Sequence, residues 1–160
     1  MEYSGNISDF AKLYEEIYRD LYKTAYYMLG NSQDAEDAVS DTVLDAYRGI
    51  GKLRDNSLFK HWIYKILCNK CKRKMREYVN RTLPLEENSK VIYTNIDELH
   101  DIRIAFMELE KQERMIVALH VFGGYKSHET AEILDMNPNT VRSKYSRAIE
   151  KMEKKLEVWI

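Results

Sequence analysis

At 160 residues, with 44% hydrophobic and 32% charged side chains and a formal charge of −1, the chain suits one ordinary globular domain or two small ones. Two prolines and six glycines are too few for a many-stranded fold. No apolar run approaches the roughly 20 residues that span a bilayer, and Met1-Glu2-Tyr3-Ser4-Gly5 lacks a secretory leader's basic and apolar segments. The expectation is a cytoplasmic, all-α protein without membrane insertion.

From the N-terminus, Phe10, Leu13, Tyr14, Ile17, Leu21, Ala25 and Met28 recur at three and four residues, which predicts an amphipathic helix over 9–29. Gly30 stands just beyond its last turn, where a left-handed residue is cheap. Asn31 or Ser32 then caps a second helix that buries Ala35, Ala38, Val39, Thr42, Val43, Ala46 and Ile50. Asp34, Asp37, Asp41 and Asp45 line one side of it at i, i+3, i+7 and i+11. Such an acidic stripe repels DNA, so it faces either a basic protein surface or only water.

Gly49, Gly51 and Asp55-Asn56-Ser57 mark a loop. A third helix is expected from about Leu58 to Val79, with Phe59, Trp62, Ile63, Ile66, Leu67 and Cys71 inward. Residues 57–81 hold eight basic side chains and one acidic, whereas 1–56 hold six and eleven. Lys65, Asn69, Lys72, Arg73 and Arg76 form a polar stripe opposite the apolar face, either for phosphates and a base or simply solvated. Tyr64 and Trp62 lie beside it, as stacking platforms for unpaired bases or as core. Cys68 and Cys71 have the spacing of half a zinc site, but no second pair of ligands follows, and the alternative is two small side chains on the buried side. No metal or cofactor is expected.

Periodicity lapses over 80–96, around Pro84 and the acidic pair Glu86-Glu87, which reads as a flexible linker with a short β-like piece at Val91-Ile92-Tyr93. The expected organisation is two small helical domains, 1–79 and 97–160, joined by that linker. In the second, Gly123-Gly124 ends a helical stretch, and two helices joined by Asp135-Met136-Asn137 follow. The first is Ser127–Leu134. The second opens with Asn137 as cap and Pro138 at its first position, and it buries Val141, Tyr145, Ile149 and Met152. Arg142, Lys144, Arg147 and Lys151 face away, with Asn139, Thr140 and Ser143 near its start. A helix-turn-helix places the start of its second helix in the DNA major groove, where these side chains can read base edges or bind phosphates. The alternative is a solvated hairpin with a basic surface.

Three segments, in this order, resemble the extracytoplasmic-function group of bacterial RNA polymerase sigma factors. Asp34-Ala35-Glu36-Asp37-Ala38-Val39-Ser40-Asp41 and on to Arg48 resembles the segment that binds the clamp helices of RNA polymerase. His61-Trp62-Ile63-Tyr64-Lys65-Ile66-Leu67-Cys68-Asn69 resembles the segment that opens and reads the −10 element. Leu109 with Arg114, then Ser127–Leu134 and Asn139–Ala148, is similar to the −35-reading module. Ser40 and Val43 stand where the family usually has Gln and Phe, and Glu110 where it usually has Pro.

The resemblance implies a promoter-binding subunit and not an enzyme. Asp34, Asp37, Asp41 and Asp45 would meet core RNA polymerase. Lys65, Asn69, Lys72, Arg73 and Arg76, with the Lys52–Leu58 loop, would take the −10 strand. Thr140, Arg142, Ser143, Lys144 and Arg147 would contact the −35 duplex. Promoter DNA is then the second partner and an anti-sigma factor a third. An ordinary helix-turn-helix repressor leaves the two stripes unexplained. A metal-dependent hydrolase through His128-Glu129 needs His where Glu132 stands.

Overall fold

A computed structural model describes residues 7–79 and 96–157. The expected linker and its β-like piece lie almost wholly outside them. Seven α-helices are described: α1 Ile7–Leu29, α2 Ser32–Gly49, α3 Phe59–Val79, α4 Ile96–Met107, α5 Lys111–Val121, α6 Ser127–Leu134 and α7 Pro138–Glu157. Two 3₁₀ turns, Ile50–Lys52 and Asn56–Leu58, join α2 to α3.

The first three helices pack on one another. Ala25, Ala35, Ala38 and Ala46 are buried and small, so the backbones approach closely, and Leu21, Ile63 and Leu67 fill the remaining space. The buried hydroxyls of Thr24 and Thr42 donate to the Asp20 and Ala38 carbonyls, each at 2.7 Å, so neither is left unpaired. Gly30 closes α1 at φ +80°, its N–H on the Tyr26 carbonyl at 2.7 Å. Asn31 caps α2 by accepting the Asp34 N–H at 2.9 Å. Cys68 and Cys71 are both buried, and burial pushes the Cys68 thiol up to about 12 and the Cys71 thiol upward as well. They are packing groups in α3 with no thiolate character.

In the second half, α7 packs on α4, α5 and α6. The turn between α6 and α7 contains no glycine. Asp135 takes the left-handed conformation at φ 57°, and the Met136 N–H closes on the Ala131 carbonyl at 2.9 Å. Asn137 then caps α7 by accepting the Asn139 N–H at 2.8 Å. Val141, Ala148 and Met152 of α7 meet a core that includes Ile116, Leu119, Ala131 and Ile133.

The two halves pack against each other, and one hydrophobic cluster runs through both. Helix α1 lies on α4 and α5, and α3 lies on α6. Tyr27 stacks on Phe122 with centroids 4.6 Å apart, and Tyr64 meets Tyr125 edge to face at 5.3 Å. Around this apolar centre, five cations cross between the halves to backbone carbonyls, most of them at or near helix C-termini. Arg114 reaches Met28 at 3.1 Å, Arg103 Gly30 at 3.0 Å, Lys60 Gly123 at 2.8 Å, Lys111 Met75 at 3.3 Å and Lys72 Leu134 at 3.4 Å. Carbonyls there are those a helix leaves without partners, at the negative end of its dipole, so cations are suited to them.

Candidate nucleic-acid and protein interfaces

Helix α7 turns its apolar side inward and leaves Asn139, Thr140, Arg142, Ser143, Ser146 and Arg147 exposed along one broad face. Arg142 is held over Asn139 by a hydrogen bond to its side-chain oxygen, and the Arg147 Nε lies 3.4 Å from the Ser143 carbonyl. Two guanidinium groups thereby stand exposed on the first half of α7, the second helix of the helix-turn-helix.

Lys144 does not share that face. It is half-buried and close enough to Glu113 for its charge to act on that carboxylate. Lys151 is exposed as expected, but its ammonium donates to both Glu113 oxygens at 2.8 and 3.2 Å. The reason is tertiary: helix α5 supplies a carboxylate beside this line of α7, and spacing within α7 cannot reveal it.

On α3, Lys65, Asn69, Arg73 and Arg76 are exposed as the stripe requires. Lys72 departs from it, half-buried with its ammonium on the Leu134 carbonyl across the interface. Tyr64 is fully buried against Tyr125, which overturns its reading as an exposed platform; burial raises both phenols. Trp62 is half-buried over Gly49, where a Cβ would lie 3.1 Å from its ring. The loop before α3 exposes Lys52, Arg54, Ser57 and Leu58 and is braced by Asp55, whose carboxylate accepts the Ser57 N–H at 2.9 Å. Hydrogen bonds from Ser57 hold that carboxyl below its ordinary value.

The acidic stripe of α2 has partners within the protein. Asp45 bonds Lys70 at 2.6 Å, and Asp37 lies 3.8 Å from Lys74, so two lysines of α3 lean back onto it. The hydrogen bond from Lys70 leads the causes that hold the Asp45 carboxyl below its ordinary value. Asp34 bonds the Asn31 amide at 2.8 Å. Asp41 stays exposed between the two ion pairs.

Beside this stripe runs a groove that the sequence reading missed. Tyr14, Tyr18 and Tyr22 of α1 and Val39, Ser40, Val43 and Leu44 of α2 enclose about 420 Å³, with Glu36 at the rim. Leu44 is 52% exposed and Tyr18 47%, an apolar patch continuous with the acidic one. Burial, reinforced by Tyr18, leaves the Tyr14 phenol pushed up to about 12. The available signal was the i, i+4, i+8 spacing of the three tyrosines. Among the described residues, no three His, Cys, Asp or Glu side chains gather as metal ligands, and no helix is long and apolar enough to cross a membrane.

These two halves correspond to known modules. The Sigma-70 region 2 model matches residues 13–81 and the Sigma-70 region 4 model residues 99–152. The chain is 29% identical over 148 residues to the ECF RNA polymerase sigma factor SigM of Mycobacterium tuberculosis, covering 91% of this chain and 76% of that one. It is 26% identical to the ECF RNA polymerase sigma factor SigW of Bacillus subtilis, covering 88% and 86%. In fold it is similar to the sigma factor RpoE of Bartonella quintana, crystallised with the anti-sigma factor NepR. That likeness has a TM-score of 0.82 at 23% identity and covers 95% of this chain and 99% of that one. CnrH, solved with the cytosolic domain of CnrY, gives 0.74 at 21%, covering 97% and 92%.

A region 2 module followed by a region 4 module defines a sigma factor, a regulatory subunit of RNA polymerase that is not catalytic on its own. The chain belongs to the extracytoplasmic-function group of these factors, and it directs promoter-specific transcription initiation.

Proposed function

We propose that three surfaces divide the work between a −10 module over 1–79 and a −35 module over 97–160, with 80–96 as the tether. The acidic line Asp34, Asp37, Asp41 and Asp45, together with the tyrosine groove beside it, takes core RNA polymerase. Exposed Asp41 supplies charge and Leu44 supplies apolar contact. The exposed part of the α3 stripe, Lys65, Asn69, Arg73 and Arg76, follows the −10 strand; Lys72 joins it once the halves part. Thr140, Arg142, Ser143 and Arg147 contact the −35 duplex, and Lys144 supports them from the side.

Polymerase sets the distance between the two readers. In the closed arrangement Lys72 is engaged by Leu134 and Tyr64 is covered by Tyr125, so strand capture follows separation of α3 from α6. Bases become legible once unstacked, at a few kcal/mol each, which protein contacts offset. The chain works in the cytoplasm, carries no enzymatic activity, and is held by an anti-sigma factor, a reading supported by its likeness in fold to RpoE, which was crystallised with the anti-sigma factor NepR.

The observation that carries this reading is the α7 face, where Arg142 and Arg147 stand exposed with Asn139, Thr140 and Ser143 opposite a fully packed side. Run-off transcription with core polymerase tests it. The expected result is initiation at a promoter with both elements, lost when either element is scrambled. Tight binding of the free protein to a palindromic duplex, with no effect on polymerase, would overturn it.

A further inference from the structure

Helix α7 carries its positive charge on two faces. Arg142 and Arg147, with Lys154 in the last turn, occupy the exposed one. Lys144, Lys151 and Lys155, at i, i+7 and i+11, follow a single line on the other flank. Two glutamates from the preceding helices meet that line: Glu113 in the first turn of α5 bonds Lys151, and Glu108, just past α4, lies 2.7 Å from Lys155.

Glu113 is the stronger anchor. It is 3% exposed, and its Oε1 also accepts the Glu110 N–H at 3.1 Å, so its own position is fixed by the helix it starts. Burial pushes its carboxyl up, but the Lys151 hydrogen bond, the Glu110 N–H and the charges of Lys151 and Lys144 outweigh that and hold it low. The apolar contacts of α7, among them Val141, Ala148 and Met152, with Tyr145 stacked on His120, seat the helix on the core. A directional ion pair to a fixed carboxylate adds to that restraint on its rotation.

We propose that Glu113 is a positioning residue for promoter discrimination: it fixes the rotation of α7 and keeps Lys151 off the DNA, so that the arginine face alone enters the groove. The inference rests on α7 being the −35 reader. Its logic is that an extra lysine at the phosphates strengthens binding to every sequence alike and carries no sequence information. Removing that lysine from the interface lowers non-specific affinity and leaves the base contacts to decide.

The test measures DNA binding by polymerase assembled with each variant, on a −35 promoter and on the same duplex with that element scrambled, across a salt series. Glu113→Gln keeps an oxygen for the Glu110 N–H but loses the ion pair. It is expected to tighten binding to the scrambled duplex, steepen the salt slope by about one, and lower discrimination about fivefold, the scale of one lost base contact. Lys151→Gln, a change at an exposed position, is expected to leave the parental slope unchanged. A slope lowered by about one in Lys151→Gln would show that Lys151 already touches phosphate and would overturn the proposal. So would a uniform loss on both duplexes with the parental slope in Glu113→Gln, which is the mark of a merely structural role. Arg147→Ala in the same assay separates the two readings: unchanged −35 discrimination there removes α7 from the −35 element, whatever Glu113 does.

Discussion

The two basic helices, α3 and α7, are alike in sequence and different in the molecule. Both place lysines and arginines opposite an apolar face. On α3 the cations are distributed among three tasks: Lys70 and Lys74 lean on Asp45 and Asp37, Lys60 and Lys72 bond the Gly123 and Leu134 carbonyls across the interface, and Lys65, Arg73 and Arg76 stand in solvent. On α7 they are sorted by side, Lys144, Lys151 and Lys155 toward carboxylates and Arg142, Arg147 and Lys154 toward solvent. A count of charges describes both helices equally and predicts neither arrangement. What differs is the neighbour: α3 lies under a second module, and α7 lies on the edge of its own.

The largest effect expected breaks the comparison at its acidic partner. Asp41→Lys should abolish assembly with core polymerase, measured by co-purification, while the thermal melt barely moves. Asp41 is exposed, and surface changes usually shift stability by under about 0.5 kcal/mol. Normal assembly would return the acidic line to the role seen inside the protein, a seat for the lysines of α3.

Next in size is the arginine face. Arg142→Ala or Arg147→Ala should each cost about 1–3 kcal/mol in use of a −35-dependent promoter if a base contact is lost. Quantitative run-off transcription against a promoter independent of that element provides the control. Equal activity of a folded variant on both would leave α7 no better a reader than α3.

The closed arrangement can be loosened directly at Gly30. A Cβ there would run into the Met107 sulfur, and the backbone is at φ +80°. Gly30→Ala should therefore destabilise the closed protein by about 1–2 kcal/mol, the cost of a left-handed non-glycine residue, read by a thermal melt. If closure is what engages Lys72, the variant should also bind single-stranded −10 DNA more tightly than the parent. Weaker or unchanged binding would detach the interface from the state of α3.

On α3 itself, Lys65→Ala and Asn69→Ala should reduce transcription on duplex promoters and recover part of it on a template with a pre-opened −10 bubble. Equal defects on the two templates would assign them plain phosphate contact.

The smallest effect concerns how α7 is seated. His120 of α5 stacks on Tyr145 of α7 at 4.0 Å and lies 3.4 Å from the Ser127 hydroxyl of α6, and burial lowers its pKa below the usual 6.5. The unfolded chain therefore takes up the proton first as pH falls, so stability should drop on acidification from about the ordinary histidine value down to the folded one and level off below it. Melts across pH 5 to 7.5 check this, and His120→Gln should remove that share of the slope.

Much of this molecule was legible because it is local. Three- and four-residue periodicity placed the long helices, with α1 beginning two residues earlier than expected and α6 spanning Ser127–Leu134 as read. Gly30, Asn31 and Asn137 do what their side chains and backbone freedom dictate within a turn of chain. The left-handed Asp135 was hidden because a glycine is the usual sign of that conformation, and aspartate adopts it only where the surrounding turn demands it.

The sequence by itself determined which stretches are helical, which side of each is apolar, and the order of three family-like segments, since these depend on neighbours a few residues away. Tertiary structure alone decided which polar side chains are available. Lys72, Lys144, Lys151 and Tyr64 all carry the pattern of exposed readers, yet a carbonyl, a carboxylate and an aromatic ring 31 to 62 residues distant engage or cover them. The same packing formed the tyrosine groove between α1 and α2. A cation goes to whatever oxygen lies within reach of its stem, and reach is set by how helices pack, which the period of any single helix does not contain.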